Sequence, residues 1–185
     1  MSLYGNSISS LMWNSRYSQT IRYDILSDNL KNHAGSICDV GCGCGDFFHY
    51  LNSKNSFLRY TGIDISANMI VSAQKAYPLG NFRCLDLADI LINNTFDYVV
   101  ASGIFNLHMR DHENTLLNTI KQMIQCANSS IRFNILTNKF KHSSLDSNII
   151  YTDIDALYKK LRPLVRSIDV ITAYLPHDVT FYLEK

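Results

Sequence analysis

This chain of 185 residues contains no run of about 18 apolar residues, so no membrane-spanning helix is expected. Its first residues, Met1-Ser2-Leu3-Tyr4-Gly5-Asn6, carry neither a basic region nor an apolar core, and no secretory leader is expected there. C-x-x-C pairs and interleaved histidines are lacking, which speaks against a structural metal. The five cysteines are an odd number without paired spacings, the usage of reduced thiols in a cytoplasmic protein. Neither sign of charge is in excess: 17 Lys and Arg face 16 Asp and Glu, and no dense basic stripe offers nucleic acid a footprint. No repeat, low-complexity tract or composition break divides the chain, so residues 1–185 read as one domain.

Glycine is also scarce, with eight in all, yet three stand in one loop: Ile37-Cys38-Asp39-Val40-Gly41-Cys42-Gly43-Cys44-Gly45-Asp46. An apolar strand with an acid near its end runs straight into alternating glycines. Such a loop lets a ligand lie against the main chain with no Cβ in the way. A dinucleotide site wants G-x-G-x-x-G, with a pyrophosphate at the following helix N-terminus. Counting from Gly41, the third glycine of that pattern falls on Asp46, whose charge opposes a pyrophosphate. Cys38 is expected in the core, and Cys42 and Cys44 as small loop residues.

Three further segments repeat the strand-then-acid or strand-then-loop form. Arg59-Tyr60-Thr61-Gly62-Ile63-Asp64 ends in an acid about 20 residues after the loop, where a carboxylate can accept from both ribose hydroxyls. Ser66 then opens a helix as N-cap. Phe82-Arg83-Cys84-Leu85-Asp86-Leu87 ends a short strand with another acid, and Phe96–Ala101 runs into Ser102-Gly103-Ile104-Phe105-Asn106-Leu107-His108. Singly, Asp39 could merely hold the loop amides, Asp64 start a helix and Asp86 form a turn. Jointly they fall at the carboxyl ends of successive strands, where open parallel sheets bind ligands.

The G-x-G-x-G loop preceded by hydrophobic-Asp-hydrophobic, with Gly62-Ile63-Asp64-Ile65-Ser66 and Met69 behind it, resembles the class I S-adenosylmethionine-dependent methyltransferases. The resemblance implies S-adenosylmethionine as cofactor and S-adenosylhomocysteine as product. A ligand with a sulfonium and an ammonium group, and no phosphate, benefits from nearby carboxylates. The implied cofactor residues are Asp39, Gly41, Gly43, Gly45, Asp64, Ile65, Met69, Asp86, Leu87 and Ser102. Asp64 would meet the ribose, Asp86 the adenine amino group, and the adjacent amide a ring nitrogen.

Alternating elements predict a Rossmann-like, doubly wound α/β fold with helices on both faces. Strands are expected near Ile37–Val40, Tyr60–Asp64, Phe82–Cys84, Phe96–Ala101, Ile131–Leu136, Ser167–Tyr174 and Val179–Leu183. Helices are expected at Asp46–Ser53, Ala67–Tyr77, His112–Cys126 and Ile154–Leu161, with one or two more between Ser9 and Leu30. Pro176-His177-Asp178 makes the last link a hairpin. Seven strands, mostly parallel with an antiparallel C-terminal hairpin strand, is the arrangement that the family implies.

The acceptor side should come from the loops after the fourth and fifth strands and from an N-terminal helical segment, residues 1–32, covering the site. His108 is the first choice for a general base, since imidazole titrates near neutrality; a packed or surface histidine at a helix start is the competing reading. Arg16, Tyr17, Phe105, Asn106 and His177 are the substrate-binding candidates. Trp13, Tyr23, Asp111, Lys139, His142, Asp146 and Asp178 stand near them in the chain. The Asn/Asp-Pro-Pro-Tyr/Phe element that many methyltransferases of planar nitrogens carry is absent. A small-molecule acceptor methylated on oxygen or nitrogen is the leading expectation. RNA or protein is the alternative, if Lys139, Lys141, His142, Arg16 and Arg22 gather into a basic rim. A non-catalytic module that binds the cofactor is the third reading.

Overall fold

The computed structural model describes residues 16–30, 34–90, 95–106, 111–137, 139 and 150–185. Trp13, His108, Lys141, His142 and Asp146 lie outside the described residues. In chain order the elements are α1 (Arg16–Leu26), β1 (Gly35–Val40), α2 (Asp46–Ser53), β2 (Leu58–Asp64), α3 (Ala67–Ala76), β3 (Phe82–Cys84) and α4 (Leu87–Ile90). There follow β4 (Phe96–Ala101), α5 (His112–Cys126), β5 (Ala127–Leu136), α6 (Ile154–Leu161), β6 (Ser167–Ile171) and β7 (Asp178–Glu184).

The seven strands form one sheet in the order β3-β2-β1-β4-β5-β7-β6. The first five in that order run parallel, and β7 lies antiparallel between β5 and β6. From β1 the chain winds outward to β3, then returns to the other side of β1 for β4 and β5. The order reverses between β1 and β4, which opens a crevice at their carboxyl ends.

Side-chain alternation gives the sheet two apolar layers. Val99, Ala101, Ile131, Phe133, Ile135, Val179, Phe181 and Leu183 pack with Leu116, Ile120 and Met123 of α5 and Leu157 and Leu161 of α6. On the other face Ile37, Tyr60 and Val100 pack with Tyr23 of α1, Phe47 and Tyr50 of α2 and Ile70 and Ala73 of α3. Ser66 caps α3 by accepting from the Met69 amide at 3.4 Å, and Asp153 caps α6 by accepting from Asp155 and Ala156.

The expected fold class and strand set match this sheet, and the differences are local. β5 begins at Ala127 because α5 passes directly into it, where Asn128 and Ser129 carried no strand signal. β6 ends at Ile171, since Ala173 and His177 take left-handed backbone with φ of 65° and 67°. The short α4 and the 3-10 turns at Ile104–Asn106 and Arg162–Leu164 were not anticipated.

α1 docks on the sheet largely through polar groups. Arg22 donates from Nε and Nη2 to the two carboxylate oxygens of Asp178 at 2.6 and 2.8 Å, with both residues buried. Arg132 of β5 donates to the Leu26 and Asp28 carbonyls, satisfying acceptors at the end of α1. The Tyr182 hydroxyl donates to the Ile25 carbonyl. Arg22 therefore belongs to the interior and not to a basic rim.

Breaking this buried pair from one side leaves the other charge uncompensated. Arg22→Met is expected to lower unfolding stability by about 3–5 kcal/mol, and Arg22→Met with Asp178→Leu to recover much of it. Urea midpoints of the parent, both single variants and the double variant give the test; a double variant no better than Arg22→Met contradicts it.

Candidate active site

The glycine loop leaves β1 at the crevice and closes back on β2. The amides of Gly41 and Cys42 both donate to the Ile63 carbonyl, at 2.8 and 2.9 Å. Gly41, Gly43 and Gly45 have φ of 73°, 54° and 86°, a region costly for residues with a Cβ. A Cβ on Gly41 would lie 2.2 Å from Ile104 Cγ2, and one on Gly45 would lie 2.8 Å from the Phe82 ring. The loop after β4 thus packs directly on the glycine loop.

Three carboxylates surround this loop. Asp64 accepts from the Gly43 amide at 2.9 Å through Oδ2 and from the Ser66 amide at 2.8 Å through Oδ1. Each oxygen keeps a further lone pair for a ligand hydroxyl. Asp39 is only 2% exposed and accepts from the Tyr60 hydroxyl at 2.6 Å. Its partner is therefore Tyr60 of β2, while the Gly43 amide goes to Asp64. Burial raises the Asp39 carboxyl to about 7; the Tyr60 bond works against the rise, and Asp64 and Asp46 add to it. Asp46 opens α2 and accepts from the Gln19 amide of α1 at 3.2 Å. Among the described residues, the hydrogen-bond partners of these three acids are neutral.

The remaining expected cofactor residues follow the carboxyl ends of β2, β3 and β4. Ile65 directly follows Asp64 and is 78% exposed. Met69 lies against the loop, its Sδ 3.5 Å from Cys44 Sγ. Asp86 is exposed and accepts from the Ala88 amide at 2.9 Å, so it does form a local turn. The Leu87 side chain is buried in the core. Ser102 follows β4, beside the glycine loop, and its Oγ is enclosed without a partner.

The acceptor-side candidates divide. Phe105 is turned into the core, edge-on to Phe133 with ring centroids 5.5 Å apart, which corrects its expected place in a substrate pocket. Asn106 braces the end of β5: its Oδ1 accepts from the Leu136 amide and its carbonyl from the Ile150 amide. His177 stands in the β6–β7 turn, edge-on to Tyr151, with Nδ1 enclosed and unpartnered. Arg16 and Tyr17 are exposed on α1. Asp111 is exposed before α5 and holds the Asn114 amide. Lys139 pairs with Asp155 at 2.9 Å and Arg22 is buried against Asp178, so these two are not offered to a basic rim.

Gln19, Tyr60, Ile104 and Asn134 support the site and were not singled out from sequence. Asn134 accepts from the Gly103 amide at 2.8 Å. Each acts across at least 21 residues of chain, and no local pattern signals such a contact.

A model of the methyltransferase-domain family matches residues 38–130, just over half of the chain. Rv1506c of Mycobacterium tuberculosis, named a putative methyltransferase, is 29% identical over 155 residues, 81% of this chain and 93% of that protein. The malonyl-[acyl-carrier protein] O-methyltransferase of Priestia megaterium is 28% identical over 100 residues, 53% of this chain but only 35% of that enzyme. Among solved structures, the magnesium protoporphyrin IX methyltransferase ChlM of Synechocystis PCC 6803 with bound S-adenosylhomocysteine shares the fold. Its TM-score is 0.68 at 17% identity, covering 91% of this chain and 83% of that one.

The buried Asp39 has a pH signature. Between an ordinary carboxylate value near 4 and the raised value near 7, the unfolded chain is ionised at this position and the folded one is protonated. Stability contributed by Asp39 is therefore lost as pH rises through that window, at about 1.4 kcal/mol per unit, and is level above it. Asp39→Asn lacks this term. Its stability relative to the parent should grow from pH ~4 to ~7 and then plateau, read from urea midpoints; a difference independent of pH contradicts the assignment.

Proposed function

The chain belongs to the methyltransferase-domain family, and we propose that it methylates a small molecule on oxygen or nitrogen. It is an S-adenosylmethionine-dependent methyltransferase, and the residues at the crevice fit that cofactor. The glycine cradle has no room for Cβ atoms at Gly41 and Gly45, and its acids lack cationic hydrogen-bond partners among the described residues. That acid-lined cradle is the observation that carries the reading. It suits an ammonium and a sulfonium and opposes a pyrophosphate.

When bound, the cofactor supplies an electrophilic methyl group on a cationic sulfonium. Asp39, Gly41, Gly43 and Gly45 would form the seat for its amino-acid portion. Asp64 would accept from the ribose hydroxyls with the lone pairs left over from Gly43 and Ser66. Ile65 and Met69 would flank the adenine, and Asp86 with the Leu87 amide would meet its edge. The described part of the N-terminal segment, α1, tied to Asp46 by Gln19 and to Asp178 by Arg22, covers the site. On the acceptor side, the chain's own residues would hold the accepting atom in line with that methyl group. Most of the acceleration comes from holding the two partners in line. His108 takes the proton where the acceptor is a hydroxyl or a protonated amine. Arg16, Tyr17 and His177 remain candidates for contact with the acceptor.

A small acceptor is supported by the charge pattern. Arg22 is buried against Asp178 and Lys139 is paired with Asp155, so neither is offered to a phosphate backbone. The like-folded ChlM, a magnesium protoporphyrin IX methyltransferase by name, supports the same reading.

Calorimetry should show binding of both S-adenosylmethionine and S-adenosylhomocysteine. Asp64→Ala is expected to weaken both by about 1–3 kcal/mol through loss of charge-assisted hydrogen bonds. Unchanged affinity would sink the ribose assignment. With methyl-labelled cofactor, label should pass to the small-metabolite fraction of a cell extract and not to RNA or protein. His108→Ala should slow that transfer; the parental rate in this variant removes His108 as the base.

A further inference from the structure

Beneath α1, a row of polar side chains crosses the sheet at the carboxyl ends of β4 and β5. β5 turns Ile131, Phe133 and Ile135 into the layer under α5 and α6, so Asn134 faces the α1 side, as Arg132 does. Across the antiparallel ladder Asn134 is paired with Thr180, and Leu136 with Asp178. Thr180 and the Tyr174 hydroxyl satisfy each other at 2.7 Å, and Asp178 holds Arg22. On the other flank Ala101 of β4 is level with Phe133, which brings Ser102 level with Asn134. The Gly103 amide then donates to Asn134 Oδ1 at 2.8 Å.

Two atoms in this row depart from the rule that buried polar groups are paired. Asn134 is 0% exposed; its Oδ1 is used, and its Nδ2 has no partner. The Oγ of Ser102 is likewise enclosed and unpartnered. Bracing Gly103 requires only an acceptor oxygen, so the free amide nitrogen has no part in that bond.

We propose that Asn134 and Ser102 form an acceptor-binding subsite, which takes a hydrogen-bond-accepting oxygen, from a carboxylate or a carbonyl, of the molecule to be methylated. The inference rests on the methyltransferase reading above and deepens it. An amide nitrogen only donates, so Asn134 selects lone pairs and rejects an ammonium group. The Ser102 hydroxyl supplies a second donor. The position is apt: Ala101 is level with Val40, one residue before Gly41, so the row begins beside the cofactor loop and runs away from it beneath α1. The Arg22–Asp178 pair closes the far end with opposite charges that cancel. An oxygen held here orients the acceptor and need not be the atom methylated.

The test uses the full chain loaded with S-adenosylhomocysteine and labelled with nitrogen-15 at asparagine. It is titrated with benzoate, benzamide and benzylamine while the Asn134 side-chain amide is followed by NMR. Benzoate or benzamide should shift that resonance saturably, the two distinguishing a carboxylate from a carbonyl, and benzylamine should not. Asn134→Asp keeps an oxygen for Gly103 and removes the donor, so binding of the oxygen probe should be lost. If that variant does not fold, Ser102→Ala carries the test, with about a tenfold weaker oxygen probe expected. Preference for benzylamine, no response of Asn134 to either oxygen probe, or an unchanged affinity in Ser102→Ala overturns the subsite. Failure of the parent to bind S-adenosylhomocysteine overturns the methyltransferase reading instead.

Discussion

The carboxylate of Asp64 accepts from the Gly43 amide with one oxygen and the Ser66 amide with the other, so one side chain fixes the turn leaving β1 and the start of α3. With Gly43 drawn toward β2, and Gly41 and Cys42 bonded to the Ile63 carbonyl, the loop must curl over the end of β2. That curl imposes positive φ at three positions and brings Ile104 into the space beside Gly41. The cradle is therefore a consequence of where β2 ends, and the glycines are what permits it. Any residue with a Cβ at Gly41 would have to displace the Ile104 side chain as well.

α1 is held by a different kind of force. A helix over a sheet ordinarily docks through an apolar stripe, and Tyr23 and Leu26 do contribute one. Yet the sheet face beneath its far half is polar, with Arg132, Asn134, Asp178 and Thr180 all buried. Hydrogen bonds and an ion pair demand particular geometry where apolar contact would tolerate sliding. Burial raises the Asp178 carboxyl, while Arg22 opposes the rise. Desolvating two charges yields little net stability, so the pair is better understood as fixing the register of α1 on β7. Gln19, three residues before Arg22 on the same helix, then reaches Asp46 beside the cradle.

Much of this was legible in the chain because it is written in local patterns. The four longer helices after β1 and the strands carry their own periodicity, and three of those helices, Asp46–Ser53, His112–Cys126 and Ile154–Leu161, keep the expected bounds. The loop glycines and the acids after successive strands announced themselves by spacing. What stayed hidden depends on contacts between distant segments. Phe105 follows a strand just as a pocket residue would, but only the neighbouring Phe133 and Phe181 reveal that it completes the core. Arg22 reads as one member of a basic rim until Asp178, 156 residues later, is placed under it. Asn106 ties the β4 loop to the end of β5, a bond to a residue 30 positions away that no local pattern signals.

Charge is unevenly divided along the carboxyl edge of the sheet, and the division follows the reversal in strand order. On the β1–β2 side stand Asp39, Asp46 and Asp64, each with neutral hydrogen-bond partners among the described residues. On the β4–β5–β7 side, among the described residues, the buried Asp178 is matched by Arg22, and Asn134 and Ser102 beside it are neutral and hydrogen-bonding. A cationic ligand is drawn to the first side because its charge relieves repulsion already present among the acids. A partner rich in lone pairs does better on the second, where Asn134 offers a donor and the ion pair contributes no net charge. The two preferences meet at Gly41 and Ser102, where β1 and β4 end side by side. A transferable cationic group seated on one side would thus face a nucleophile seated on the other, and the fold itself, through the reversal between β1 and β4, supplies the alignment that the reaction requires.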